Sequence, residues 1–264
     1  MTVCREITVE RSFRYGKVNN PNVMEIDFSK VKGIIFDYGG TLDTGGDHWS
    51  HVIWAAWQKA GVACDEPSFR EAYVYGEREL ARTLHILPHH NFRDLLEIKM
   101  NIELQKLCEM RLFSPDQIET KSREIAGYCY DSARKSVSAA APVLEKLASR
   151  YPLVLVSNFY GNIETVLEDF GIRKYFRSVI ESAVVGVRKP DPEIFRLGVK
   201  ALGIEPGQTL VIGDSYGKDI VPAREAGCQA IWLKGRGWTD KDDSVEYAST
   251  IKRLDEVLSF MEQA

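Results

Sequence analysis

The chain reads as an α/β protein, a doubly wound parallel sheet with a Rossmann-like core that carries an all-helical cap domain. Three observations carry that reading. The strand-like runs near Val31 and in the second half are apolar throughout instead of alternating, as strands covered on both faces must be. Helix-length segments separate those runs, which is the β-α alternation of a parallel sheet. Between the first run and the others lies a stretch at helical spacing, about the size of a small domain.

Residues 1–30 show no strong pattern and are read as an N-terminal extension of open role. Val31-Lys32-Gly33-Ile34-Ile35-Phe36 is the first strand, and it runs into Asp37 and the turn Gly39-Gly40. Residues 44–137 are the expected helical cap; within it Trp49, Ile53 and Trp57 fall at i, i+4 and i+8. Hinges are expected at Thr44-Gly45-Gly46 and at Ser136 to Ala140, so that the cap closes as a lid over Asp37. The α/β core comprises 31–43 and 138–264. Leu153-Val154-Leu155-Val156 is a strand ending at Ser157-Asn158. Asp191-Pro192 opens a helix with Phe195, Val199 and Leu202 on one face and Gly203 as its stop. Thr209 to Ile212 is a strand ending at Gly213-Asp214, Ile220 to Ala226 a helix stopped by Gly227, and Ala230 to Leu233 a further strand.

Composition narrows the class. The 264 residues are 44% hydrophobic and 27% charged, a globular balance that excludes a disordered or fibrous chain. With 34 Lys+Arg against 38 Asp+Glu the net charge is −4, which argues against a general nucleic-acid binder. No apolar run approaches the ~18 residues of a membrane span, and Met1 to Glu10 holds no apolar signal-peptide core. The five cysteines (Cys4, Cys64, Cys108, Cys129, Cys228) are scattered, with no Cys-x-x-Cys pair, and are read mostly as small buried hydrophobes. The expectation is a cytoplasmic protein with a small-molecule partner and neither nucleic acid nor membrane; no pattern fixes an oligomeric state.

In an open α/β sheet, ligands bind beyond the carboxyl ends of the strands. Those ends carry Asp37, Ser157-Asn158, Asp214 and, a few residues on, Asp219, with Lys189 in the loop before the Asp191 helix. Carboxylates facing one crevice repel each other, and a hard cation such as Mg²⁺ relieves the repulsion. A lysine and a hydroxyl beside them suit an anionic, oxygen-rich group, above all a phosphoryl group.

These residues resemble a known family. Asp37-Tyr38-Gly39-Gly40-Thr41-Leu42 is similar to the first motif of the haloacid dehalogenase-like hydrolase superfamily, and Ser157-Asn158 after its strand is similar to the second. Lys189-Pro190-Asp191-Pro192-Glu193-Ile194-Phe195 resembles the third, and Gly213-Asp214-Ser215 with Asp219 the fourth. All four stand in order at strand ends or loops. The resemblance implies a phosphatase-type enzyme acting on a small phosphorylated metabolite. It implies Asp37 as nucleophile forming an aspartyl-phosphate, and Thr41, Ser157 and Lys189 as holders of the phosphoryl oxygens, helped by backbone N–H groups near Asn158. Lys189 would also neutralise developing charge beside Asp37. Mg²⁺ would be held by Asp37, Asp214 and the carbonyl oxygen of Gly39, with Asp219 supporting the site.

One departure stands out. The family's phosphatases carry a second aspartate two positions after the nucleophile, where this chain has Gly39. That aspartate protonates the leaving group and later deprotonates the attacking water, so turnover is expected to be slow. Two other readings are a non-catalytic phosphate- and metal-binding module, and a 2-haloacid dehalogenase, which has no use for the metal motif at Gly213-Asp214. Gly39 is also a candidate positive-φ position. Asp43, Asp47 and His48 follow closely and are candidates for a substitute acid.

The remaining polar and aromatic features have plainer readings. The five histidines (His48, His51, His85, His89, His90) match no metal spacing. Trp49, Trp54 and Trp57 are expected in the core of the cap. Arg78, Arg82 and Arg93 are expected on a solvated helix face.

Overall fold

Four strands form where the apolar runs stand, and two further short strands complete the sheet. A computed structural model describes residues 26–261. Its strands are β1 (Gly33–Phe36), β2 (Leu153–Ser157), β3 (Ser178–Glu181), β4 (Thr209–Gly213), β5 (Gln229–Leu233) and β6 (Thr250–Ile251). All five pairings are parallel, in the order β3-β2-β1-β4-β5-β6. The unbroken hydrophobicity of the runs has a direct cause. Ile34, Phe36, Leu155, Leu210 and Ile212 enter one apolar layer, whereas Ile35, Val154, Val156, Val211 and Trp232 enter the layer on the opposite face. Neither face meets water, so alternation between apolar and polar residues would be destabilising on both.

The helices are α1 (Trp49–Lys59), α2 (Glu66–Arg82), α3 (Phe92–Glu109), α4 (Ile118–Ala148), α5 (Ile163–Asp169), α6 (Ser182–Val185), α7 (Glu193–Leu202), α8 (Val221–Glu225), α9 (Asp240–Asp243) and α10 (Glu256–Met261). In the second apolar layer α7 contributes Ile194, Phe195, Val199 and Leu202 and ends at Gly203 in the left-handed region, as its sequence predicts. A π-helical turn over Tyr216–Ile220, which periodicity does not reveal, leads into α8.

Helices α1 to α4 occupy the stretch read as helical, with α4 running beyond it to Ala148, and side-chain caps start the first three. His48 accepts the Ser50 N–H at the head of α1 and Asp65 accepts the Ser68 N–H at 2.9 Å at the head of α2. Asn91 and Asp94 form a reciprocal capping box for α3. Helix α4 buries Ile125, Cys129, Ala133, Val137, Ala140, Leu144 and Leu147, spaced three or four residues apart along its whole length. It is continuous through Ser136 to Ala140, so the second expected hinge is helix interior. The first, Thr44-Gly45-Gly46, is tied to the turn after β1: the Gly46 N–H donates to the Gly40 carbonyl at 2.7 Å, and the Thr44 hydroxyl approaches the same carbonyl at 2.7 Å.

Cys129 and Cys228 are buried and Cys64 and Cys108 partly so, so two of the four described cysteines are the buried hydrophobes expected of most. Cys4 and most of the N-terminal extension lie outside the described residues. Trp57 is core as expected, whereas Trp49 and Trp54 are partly exposed. No helix among the described residues is long and apolar enough to cross a membrane.

Candidate active site

Three adjacent strands deliver the site. Asp37 follows β1, Ser157 ends β2 and Asp214 follows β4; β1 lies between the other two, where the strand order reverses. The Asp37 N–H continues the ladder by donating to the Ile212 carbonyl at 3.0 Å.

Lys189 joins the site from the loop before α7, and its side chain is 3% exposed. Its ammonium donates to Asp37 Oδ1 and to Asp219 Oδ1, both at 2.6 Å. Burial alone would lower the lysine's pKa; Asp219 and Asp37 outweigh it and hold it above the usual range. Asn158 holds this loop in place: its side chain accepts the Lys189 N–H at 2.8 Å and donates to the Lys189 carbonyl at 3.1 Å. The Asn158 side-chain amide is thus committed to positioning the lysine. Asp219 accepts the Ser215 N–H at 2.9 Å through its other oxygen, so it anchors Lys189 from behind.

Thr41 exposes an imbalance of charge. Its hydroxyl lies 3.1 Å from Asp37 Oδ2 and 3.0 Å from Asp214 Oδ1. A hydroxyl has one proton to donate, so it satisfies one carboxylate at a time. Burial first, then Asp219 and Asp37, push the Asp214 carboxyl well above its ordinary range. Asp37, Asp214 and Asp219 offer carboxylate oxygens within 4.8 Å of one another, the one such ligand group among the described residues. A set of hard oxygen donors with more negative charge than the nearby donors can offset fits a divalent cation such as Mg²⁺. Ser157 Oγ is buried without a hydrogen-bond partner, a hydroxyl left free for a ligand.

The turn after Asp37 is shaped by glycine. Gly40 has φ +99°, and a Cβ there would overlap the Asp214 carboxylate. Gly39 is not in the positive-φ region, contrary to the sequence expectation, and a Cβ on it meets no atom within 4 Å. Gly39 lines a cleft of about 570 Å³ together with Asp37, Ser157, Lys189 and Asp214.

The three candidates for a substitute acid separate cleanly. Asp47 is paired with Arg236 at 2.6 Å, away from the cleft lining. His48 lines the cleft, but burial first and then Lys218 push its pKa down to about 3, so it is neutral at physiological pH. Asp43 lines the cleft and is 1% exposed. Its Oδ1 accepts the Gly40 N–H at 2.7 Å and its Oδ2 accepts the Trp49 indole N–H at 2.9 Å. Burial pushes its pKa up to about 8 against those two bonds, which act to lower it.

The helical side of the cleft holds charges that motif reasoning missed. Lys99 on α3 is 5% exposed, pairs with Glu77 on α2 and lies 4.6 Å from the centre of the Tyr73 ring. Tyr160 donates to Glu77 at 3.3 Å. Glu103, fully buried, sits 4.0 Å from Lys99 with no hydrogen-bond partner. A signal was available: Leu95, Lys99, Glu103 and Leu107 follow one another at i+4, so two charges interrupt an apolar stripe. Arg82 also lines the cleft, at its exposed rim, where it pairs with Glu79.

Comparison with known proteins adds to this geometry. The haloacid dehalogenase-like hydrolase family matches residues 31–227. Haloacid dehalogenase-like hydrolase domain-containing protein 3 of Bos taurus is 39% identical over 83 residues, which is 31% of this chain and 33% of that protein. The phosphoserine phosphatase of Thermus thermophilus is 36% identical over 126 residues, 46% of this chain and 50% of that protein. The chain thus spans half or less of the length of these curated relatives. Among solved structures, the HAD-hydrolase YfnB of Bacillus subtilis, bound to magnesium, shares the fold with a TM-score of 0.57 at 19% identity, covering 88% of this chain and 99% of that one.

Proposed function

Because the chain belongs to the haloacid dehalogenase-like hydrolase family, we propose that it hydrolyses a small phosphomonoester through an aspartyl-phosphate on Asp37. The single observation that carries this reading is the buried array in which Lys189 bridges Asp37 and Asp219 at 2.6 Å while Asp214 shares Thr41 with Asp37. The Thr41 hydroxyl touches the Asp37 carboxylate at 3.1 Å, and Ser157, its hydroxyl free, lines the same cleft.

In this reading an Asp37 oxygen attacks phosphorus and the P–O bond to the leaving alcohol breaks, with its electron pair departing on that oxygen. Water then attacks phosphorus, the bond to Asp37 breaks, and phosphate leaves with the carboxylate restored. Lys189 stabilises charge on the equatorial oxygens, and Ser157 Oγ donates to one of them. Mg²⁺, held by Asp37, Asp214 and the Gly39 carbonyl, would supply charge neutralisation of the phosphoryl group. Asp219 positions Lys189. Residues 44–137 cover the site and exclude water from it. Gly39 brings no acid to the leaving group, so good leaving groups are favoured.

The test is phosphate release from a panel of phosphorylated metabolites and from 4-nitrophenyl phosphate, with and without Mg²⁺, beside Asp37→Asn. Metal-dependent release that vanishes in the variant is the expected result. No release from any substrate, with no Mg²⁺ binding by calorimetry, overturns it. A non-catalytic module is the second reading, favoured by the open space at Gly39; ligand capture that survives in Asp37→Ala without any turnover is its signature.

A further inference from the structure

The helical wall of the cleft carries a buried cation that the proposed chemistry does not use. Lys99 is fixed on α3 in an otherwise apolar stripe, and placing an ammonium there is costly unless it is paired. Its partners do not fully account for it. Glu103 lies beneath it at 4.0 Å, beyond a hydrogen bond, and burial pushes that carboxyl up to about 8, so at neutral pH it is mostly uncharged. The Tyr73 ring offers a π face but no countercharge. The countercharge is therefore Glu77, whose side chain is 39% exposed against 6% for Lys99. Glu77 is the more accessible member of the pair, held otherwise by the Tyr160 hydroxyl at 3.3 Å, and is the partner an incoming anion would displace.

The surroundings point the same way. Lys99 and Asp37 line one cleft, and so do Lys218 and Arg188 from the core side. Glu77 feels Lys99 and, after it, Lys218. An ammonium has three donors; in the structure one is engaged by Glu77, leaving capacity for a ligand.

We propose that Lys99 is the receiving group for a second anion on the substrate, so that the leaving alcohol bears a carboxylate or a further phosphate, with Glu77 as the internal stand-in that it displaces. This rests on the phosphomonoesterase reading for the other end of the substrate. The subsite itself concerns binding and is judged separately.

The experiment compares 3-phosphoglycerate with glycerol 3-phosphate, alkyl phosphates that differ in a carboxylate against an uncharged hydroxymethyl group. Propane-1,3-diol bisphosphate supplies the second-phosphate arm. Affinity for each is read by calorimetry with Mg²⁺, and kcat/KM by phosphate release. The wild type should favour the ligands with an anionic group at both ends over glycerol 3-phosphate, and whichever of the two binds more tightly identifies the anion. Lys99→Met should cut that preference by roughly 10- to 100-fold, the factor of one charge-assisted hydrogen bond. Glu77→Gln should raise it, because the competitor is removed. A merely structural ion pair moves both variants in the same direction. Equal binding of charged and uncharged ligands by the wild type, or a preference unchanged in folded Lys99→Met and lowered in Glu77→Gln, overturns the subsite. Preferential binding without any phosphate release supports the subsite and overturns the hydrolytic reading instead.

Discussion

Gly39→Asp is the substitution that most directly probes the proposed chemistry. The backbone at Gly39 is not in the positive-φ region and a Cβ there meets nothing within 4 Å, so the turn accepts a side chain without strain at its first atom. General acid–base assistance is worth ~10²–10⁴-fold, or about 3–5 kcal/mol of barrier at 1.36 kcal/mol per factor of ten. That gain falls where the leaving group is a strong base. Hydrolysis of glycerol 3-phosphate should rise by roughly two orders of magnitude or more in Gly39→Asp, whereas 4-nitrophenyl phosphate, which expels a weak base, should change far less. The assay is single-turnover phosphate release at saturating Mg²⁺, with melting curves to confirm folding. Wild-type rates that are equal for the two esters, with chemistry rate-limiting, refute the reasoning. Asp43 is then the residue to examine, since it lines the cleft with its carboxyl pushed up to about 8. Loss of the alkyl-phosphate rate in Asp43→Asn would identify it as the proton source.

Gly40→Ala should behave oppositely to Gly39→Asp: its Cβ would overlap Asp214 on a backbone at φ +99°, so Mg²⁺ affinity measured by calorimetry should fall by at least tenfold. Lys189→Met leaves Asp37 and Asp219 facing each other without their cation, and chemical denaturation without Mg²⁺ should show a loss of about 3–5 kcal/mol. Glu103→Gln tests the buried carboxyl of α3. Its folded pKa, near 8, is raised above the unfolded value, so the native state holds the extra proton and stability falls as pH rises from about 4.5 to 8. The variant should be more stable than wild type at pH 8–9, by at most about 5 kcal/mol, and close to it at pH 5; a pH-independent difference contradicts this. Hydrogen exchange should find Val137 and Ala140 as protected as the rest of α4, because both are buried inside an unbroken helix. Fast exchange there would restore the hinge.

The sheet was legible because its strands are buried on both faces. Ile34, Ile35 and Phe36 are all fully buried although they belong to two apolar layers, so hydrophobicity alone marks them. β3 was not legible: Ser178, Val179 and Ile180 are only partly buried, and a half-covered edge strand carries a weak signal. The strand-end residues Asp37, Ser157 and Asp214 do converge, since a parallel sheet sends every carboxyl end to one side. Asn158 shows the limit of motif reasoning. Its side-chain amide is spent on both backbone groups of Lys189, a positioning role that motif order does not reveal. The insert was harder. Helical spacing marks α1 and α4, yet spacing says nothing about which of its charges face Asp37. Nor could it tell a hinge from helix at Ser136 to Ala140, where small residues that suit a flexible joint also suit close packing.

The two walls of the cleft are therefore built on different rules. On the core wall the acids Asp37, Asp214 and Asp219 stand closer together than Lys189 and Thr41 can satisfy, and the excess negative charge calls for a cation. On the helical wall the charges pair off: Lys99 is charged, Glu103 beneath it is mostly protonated, and Glu77 alone answers it from a partly exposed position. In the proposed subsite a ligand anionic at both ends would take Glu77's place at Lys99 while its other end meets the acids of the core wall. The helical wall also has a fixed address. Helix α3, which carries Lys99 and Glu103, packs along α4. α4 runs unbroken from the insert to Ala148, four residues before β2 begins at Leu153. Lys99 and the sheet that carries Asp37 are thus joined through regular structure on at least one side. Selection by the length of the leaving group follows from that rigidity, because a second anion reaches Lys99 only if it spans the cleft from Asp37.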